Sequence, residues 1–236
     1  MSELIFHNSD FEWAARKALE IYDRPLTSED ALRVEELDLT FGKIFCTEDI
    51  GTLCEFRNLK SLYIEAVCSP SEYLSRLPKL EILLINYLGI PDFDFEWLTC
   101  LENLCELSVI GSICSDQKVK NTESLAKLPR LDHLGLKDLG ELDLSFLRLL
   151  PNLNSFFCGW IYRVSGVEAI GTLTGLSSLE LDAITIPNLD FLESLSPDTY
   201  VELCGIRLTE SGDLSVLERF RDRDVEEIEC YGDGGD

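Results

Sequence analysis

The chain has 236 residues, of which 20 are Lys or Arg and 44 are Asp or Glu, so its formal net charge is −24. That balance excludes the clustered cations by which proteins grip nucleic-acid phosphates or anionic membrane surfaces, so neither is expected as a partner. Hydrophobic residues make up 45% of the chain, enough for a real core, which excludes an acidic disordered segment.

The first residues, Met1 to Asp10, show neither the basic nor the apolar region of a signal peptide. The longest aliphatic run, Ile82 to Ile85, is too short to span a bilayer. Phe11, Ala14, Ala15, Ala18, Leu19 and Tyr22 recur at helical spacing and predict an amphipathic helix, with Ser9 or Asp10 as its N-cap. Thr27-Ser28-Glu29-Asp30 then predicts a second short helical turn that includes Ala31 and Leu32.

From Val34 onward the chain repeats itself. L-x-x-L-x-L patterns begin at positions 34, 59, 80, 104, 131, 153 and 176, with a degenerate copy at 198 and a last one at 225. The spacing averages about 24 residues, a repeat period rather than a secondary-structure period. Before most strands an apolar residue recurs every third position, as in Leu74-Leu77, Leu98-Leu101 and Leu147-Leu150. A period near three predicts short 3₁₀ or α turns with one apolar face. Pro78, Pro129 and Pro151 sit just before the next strand's leading Leu, where Pro ends a helical turn and favours extended chain.

These copies resemble the leucine-rich repeat family over residues 34 to 231. The segment Ser9 to Leu39 resembles the N-terminal helical cap of internalin-type bacterial leucine-rich repeat proteins. The resemblance implies an α/β leucine-rich repeat solenoid. A curved parallel sheet would line the concave face, and short helical or 3₁₀ returns the convex face. The expected organisation is one structural domain: a cap over 1–33, about nine repeats over 34–231 and a flexible acidic tail over 232–236. A bacterial origin is implied by the same cap.

The sequence departs from the family at one position. The consensus places Asn after the strand, but Gly42, Val67, Leu88, Ser112, Leu139, Ile161 and Ile184 stand there. The turns must therefore satisfy their backbone groups by other means.

Nine Cys occur, at 46, 54, 68, 100, 105, 114, 158, 204 and 230. The number is odd and no C-x-x-C is present, so they read as small buried hydrophobes with reduced thiols. That points to a cytoplasmic protein. No phosphate-binding glycine loop, nucleophile elbow, zinc set or calcium loop is found. Asp92 and Asp94, and Asp222 and Asp224, read as solvated pairs. Neither metal nor cofactor is expected, and no residue is assigned a catalytic role.

In each strand, positions 1, 4 and 6 are expected in the core, and positions 3, 5 and 7 on the concave face. Both ends of that face read as acidic: Glu36 and Asp38 at one, Glu227 and Glu229 with Tyr231 at the other. The centre carries Tyr63, Ile82, Leu84, Asn86, Tyr87, Ile110, His133, Lys137, Phe157 and Trp160. Apolar and aromatic side chains rimmed by charge are the mark of a protein-binding surface. The expected function is a non-catalytic module that binds a partner protein, of basic character, through this face, in the manner of an inhibitor or immunity protein. The alternative is an enzyme or effector using thiol and imidazole chemistry, with His133 and Cys105 in adjacent strands.

Overall fold

The computed structural model describes residues 2–40, 49–65, 71–86, 92–111, 118–210 and 214–230. Helix α1 spans Ser9–Leu19 and ends at Glu20 in the left-handed region. Its cap is Asn8, whose side chain accepts from the amides of Asp10 and Phe11, rather than Ser9 or Asp10 themselves. Phe11, Ala14 and Ala15 are buried, whereas Ala18 is exposed and Tyr22 lies beyond the helix with 65% exposure. Phe11 packs on Phe6 and Phe56, closing the end of the array.

Helix α2 (Ser28–Ala31) has a complete capping box between Thr27 and Asp30. Asp30 is buried and held by a two-pronged contact with Arg24 at 2.7 and 2.8 Å. The hydrogen bonds and charge of Arg24, with the hydrogen bonds from Thr27, hold this carboxyl far below the usual carboxylate range.

One sheet of nine parallel strands follows. Its strands are Glu36–Leu39, Ser61–Glu65, Ile82–Asn86, Glu106–Ile110, His133–Lys137, Ser155–Gly159, Ser178–Asp182, Tyr200–Cys204 and Arg223–Glu226, paired in sequence order. One strand per repeat leaves half its side chains unburied, so each relies on its neighbours to complete the core. Registers are in phase from repeat to repeat, so side chains form columns. One core column runs Leu37, Leu62, Leu83, Leu107, Leu134, Phe156, Leu179, Val201. All eight are buried.

The eighth strand keeps the expected register, with Val201 and Leu203 inside. Where the leading Leu is missing, Asp198 turns outward to Arg221, and the Thr199 hydroxyl donates to the Leu176 carbonyl. The ninth strand does not keep the register expected from Val225. Val225 pairs with Leu203, and Phe220 takes the buried leading position. The last repeat thus starts at 220, and Glu229–Cys230 belongs to the return, paired with Arg207–Leu208. Tyr231 and the tail 232–236 lie outside the described residues.

The returns contain more strand than the three-residue period suggests. Asp92–Asp94, Lys118–Lys120, Glu141–Asp143 and Arg163–Ser165 form a second parallel sheet. Thr185–Ile186, Arg207–Leu208 and Glu229–Cys230 form a third. The predicted helical turns follow, as α turns at Ile50–Leu53 and Ser71–Leu74 and as 3₁₀ turns from Phe95–Leu98 onward. Asp92 and Asp94 are not merely solvated. Asp94 caps the Phe95–Leu98 turn through the Glu96 amide, and Asp92 pairs with Lys120.

The missing Asn has a backbone substitute. After the strand, Asp138, Trp160, Ala183, Gly205 and Glu227 all adopt φ between 48° and 62°. The amides of Asp138, Trp160, Ala183 and Gly205 donate to the last strand carbonyl of the next repeat: Gly159, Asp182, Cys204 and Glu226. The left-handed step then drops Leu139, Ile161, Ile184 and Ile206 into the core, where consensus would place Asn. Gly42, Val67, Leu88 and Ser112 lie outside the described residues.

L-residues with a Cβ pay about 1 kcal/mol or more for this conformation. Gly205 shows that glycine is accepted at the equivalent site. Ala183→Gly is therefore expected to raise stability by about 0.5 kcal/mol, after the entropy cost of a glycine. Equilibrium urea unfolding would measure it, and a loss of stability would contradict the strain.

Candidate functional site

The free face of the nine-stranded sheet is built from the residues that alternate with the core columns. The central column reads Asp38, Tyr63, Leu84, Ser108, Gly135, Phe157, Glu180, Glu202, Asp224. Ile82, Ile110, His133 and Lys137 flank it. Tyr63, Ile82, Leu84, Asn86, Ile110 and Phe157 are half-buried, each sheltered by its own neighbours, and His133 is exposed. Tyr87 lies outside the described residues.

Two glycines shape the floor. A Cβ on Gly135 would sit 3.0 Å from the Ser108 hydroxyl, and one on Gly159 would sit 2.8 Å from the Phe157 ring. The Phe157 ring therefore leans over Gly159 along its own strand.

Trp160 stands at the rim, where the sixth strand leaves the sheet. It is 50% exposed, its indole N–H donates to Asp182 at 2.6 Å, and the Lys137 ammonium lies 6.0 Å from its ring. Tyr162, 77% exposed, follows it, with the Arg163 guanidinium 5.5 Å from the ring. Between them Ile161 is buried. A bulky residue in the left-handed region is rare; here it keeps an aromatic ring at the edge of the face.

The acid is unevenly distributed. At the N-terminal end only Asp38 lies in the central column. At the other end Glu180, Glu202 and Asp224 are consecutive, with Asp182 and Glu226 beside them. The corrected register of the last strand brings Asp222, Asp224 and Glu226 to this face in place of Glu227 and Glu229. Asp222 and Asp224 are thus part of the face rather than a separate solvated pair.

Comparison with known proteins supports the architecture. No protein-family model matches the chain, and no curated protein sequence matches it significantly. Among solved structures, internalin C2 of Listeria monocytogenes superposes with a TM-score of 0.55 at 15% identity, covering 97% of this chain and 98% of that one. This is a leucine-rich repeat fold. A plant peptide hormone receptor in complex with RGF2 matches at a TM-score of 0.51 and 16% identity, covering 86% of this chain and 40% of the receptor. The match to internalin C2 takes in the helical cap as well as the repeats, and the free face is the concave face of the leucine-rich repeat array.

Among the described residues, the thiol and imidazole groups of the alternative reading are not brought together. His133 is in register with Glu106, not Cys105. Its ring contacts Asp132 at 2.7 Å, while the Cys105 thiol donates to the Asn103 carbonyl. Burial pushes the thiols of Cys54 and Cys100 up, and that of Cys158 to about 12. Cys204 is raised by desolvation and by the acids around it. Raised thiols are poor nucleophiles at neutral pH. Cys54 and Cys158 are buried as expected; Cys100 and Cys230 are instead exposed, and Cys105 and Cys204 lie between. Cys230 lies in the last described strand of the return sheet, in register with the buried Leu208. Cys46, Cys68 and Cys114 lie outside the described residues. Among the described residues no cluster suited to a metal ion occurs, and no helix is long and apolar enough to cross a membrane.

The carboxyls of the face predict an unusual pH dependence. Burial raises Glu65 and Asp138, and burial together with Glu202 raises Glu180. A carboxyl raised by folding binds its proton more tightly in the folded state, so stability increases as pH falls from neutrality toward the ordinary carboxylate range. Asp30, Glu96 and Asp143 act in the opposite sense: their depressed values add stability that is lost at still lower pH. Urea midpoints should therefore pass through a maximum at about pH 5. A monotonic fall from pH 7 would contradict these assignments.

Proposed function

We propose that the chain is a non-catalytic interaction module that holds a partner protein on its concave face. The observation that carries this reading is the half-buried Tyr63, Leu84 and Phe157 in the central column, on a sheet face that no described segment of the chain covers. Such groups gain by losing the rest of their contact with water. The plant receptor that shares the fold was solved in complex with RGF2. Trp160, Ile82, Ile110, Asn86, His133 and Lys137 complete the proposed contact surface.

The net charge of −24 favours a basic partner, which it would attract over distance in a salt-dependent way. An inhibitor or immunity-type protein that neutralises such a partner is the form of this reading that the charge supports. The unpaired thiols among the described residues support a reducing compartment, the cytoplasm. Pull-down from native lysate with wild type and with the variant Tyr63→Asp/Leu84→Asp/Phe157→Asp tests the reading. Partner should be lost with the variant while its circular dichroism is unchanged. Equal recovery by both forms would overturn the concave-face assignment.

A further inference from the structure

The concave face is not symmetric, and its asymmetry specifies the chemistry of its occupant. From Phe157 onward the central column continues as Glu180, Glu202 and Asp224 on successive strands. Adjacent parallel strands lie about 4.8 Å apart, so these carboxylates sit about 5, 10 and 14 Å from Phe157 along the array. Like charges directly opposite one another in a sheet are unfavourable. Among the described residues no ion pair relieves them. The cations of the neighbouring repeats are engaged elsewhere: Arg221 with Asp198, Arg207 with Glu229, and Arg223 with the Leu217 and Phe220 carbonyls. Glu202 accepts only the Tyr200 hydroxyl, at 2.8 Å. The face thus joins an apolar contact to a row of carboxylates without cations.

Resting on the concave-face reading above, we infer that the sixth to ninth strands form a docking surface for a protein segment. That segment carries one apolar side chain and two Lys or Arg at alternate positions beside it. The spacing follows from the geometry. An extended segment laid across the strands presents same-side residues about 6.7 Å apart. With its apolar residue on Phe157, the next same-side residue falls between Glu180 and Glu202. The one after reaches the gap between Glu202 and Asp224. The pattern is apolar-x-basic-x-basic, and Trp160 borders its apolar end.

A random heptapeptide display library, selected against the full chain at low salt, tests this. Wild type should enrich peptides with that spacing. Glu180→Gln/Glu202→Gln/Asp224→Asn should abolish the basic preference and weaken a synthesised winner at least tenfold, with a flatter salt dependence. Phe157→Ala should remove the apolar preference and leave the salt dependence intact. No enrichment of spaced basic residues, or enrichment that survives the triple neutralisation, overturns the subsite. If the winners also survive Tyr63→Asp/Leu84→Asp/Phe157→Asp, the concave-face reading falls with it. If they are lost there but not with the neutralised variant, only the cationic subsite is wrong. Glu36→Gln/Asp38→Asn should leave binding unchanged, and an equal loss there would reduce the effect to general charge and overturn the proposal.

Discussion

Phe156→Ala is expected to destabilise the chain by about 3–5 kcal/mol, whereas Phe157→Ala costs under about 1 kcal/mol. The two residues are adjacent and identical in type, but they face opposite sides of the sixth strand. Phe156 is 1% exposed and stacked between Leu134 and Leu179, so truncation removes its transfer energy and leaves a cavity. Phe157 lies half-buried over Gly159, on the face that no described segment covers. Equilibrium unfolding in guanidinium separates the two. Equal costs would mean that the free face is wrongly assigned, and with it every residue proposed to contact a partner.

Ile184→Asn restores the family consensus, yet a loss of about 3 kcal/mol or more is expected. Ile184 is 1% exposed and follows the left-handed Ala183. The amides at this corner already bond to the carbonyls of the next repeat: Ala183 to Cys204 and Gly205 to Glu226. An Asn side chain there would give up about 2 kcal/mol of aliphatic burial and enclose an amide with few free partners. A thermal melt reads the effect directly. A neutral or stabilising Ile184→Asn would show that the corner has room for the Asn ladder and that the backbone substitute is not complete.

The repeat was legible because its signal is redundant: seven strands announce themselves by the same three apolar positions, and the structure buries those residues, with Leu39 partly buried. The ninth was misread because Val225, Ile228 and Cys230 imitate the pattern. Its true leading residue is Phe220, and Arg223 occupies the position otherwise held by Leu. Two signals pointed to the correct start: the 22-residue spacing from Asp198 to Phe220, and the 3₁₀ turn ending at Arg219. The short return strands were invisible because two or three residues carry no measurable period. The left-handed corner was hidden for a different reason. Asp, Trp, Ala, Gly and Glu share no side-chain chemistry, and what they share is a backbone angle. The central residues of the face followed directly from the alternation of strands. The weight of acid at one end did not, since it depended on the register of the last strand.

Hydroxyl-radical footprinting of the chain, alone and bound to the captured partner, tests the account most directly. The free chain should be oxidised at Tyr63, Leu84, Phe157 and Trp160, and also at the exposed Tyr22 and Leu149 away from the face. Binding should protect the first four and leave Tyr22 and Leu149 unchanged. Protection of Tyr22 or Leu149, with undiminished oxidation at Tyr63, Leu84 and Phe157, would place the partner elsewhere and contradict the concave-face assignment.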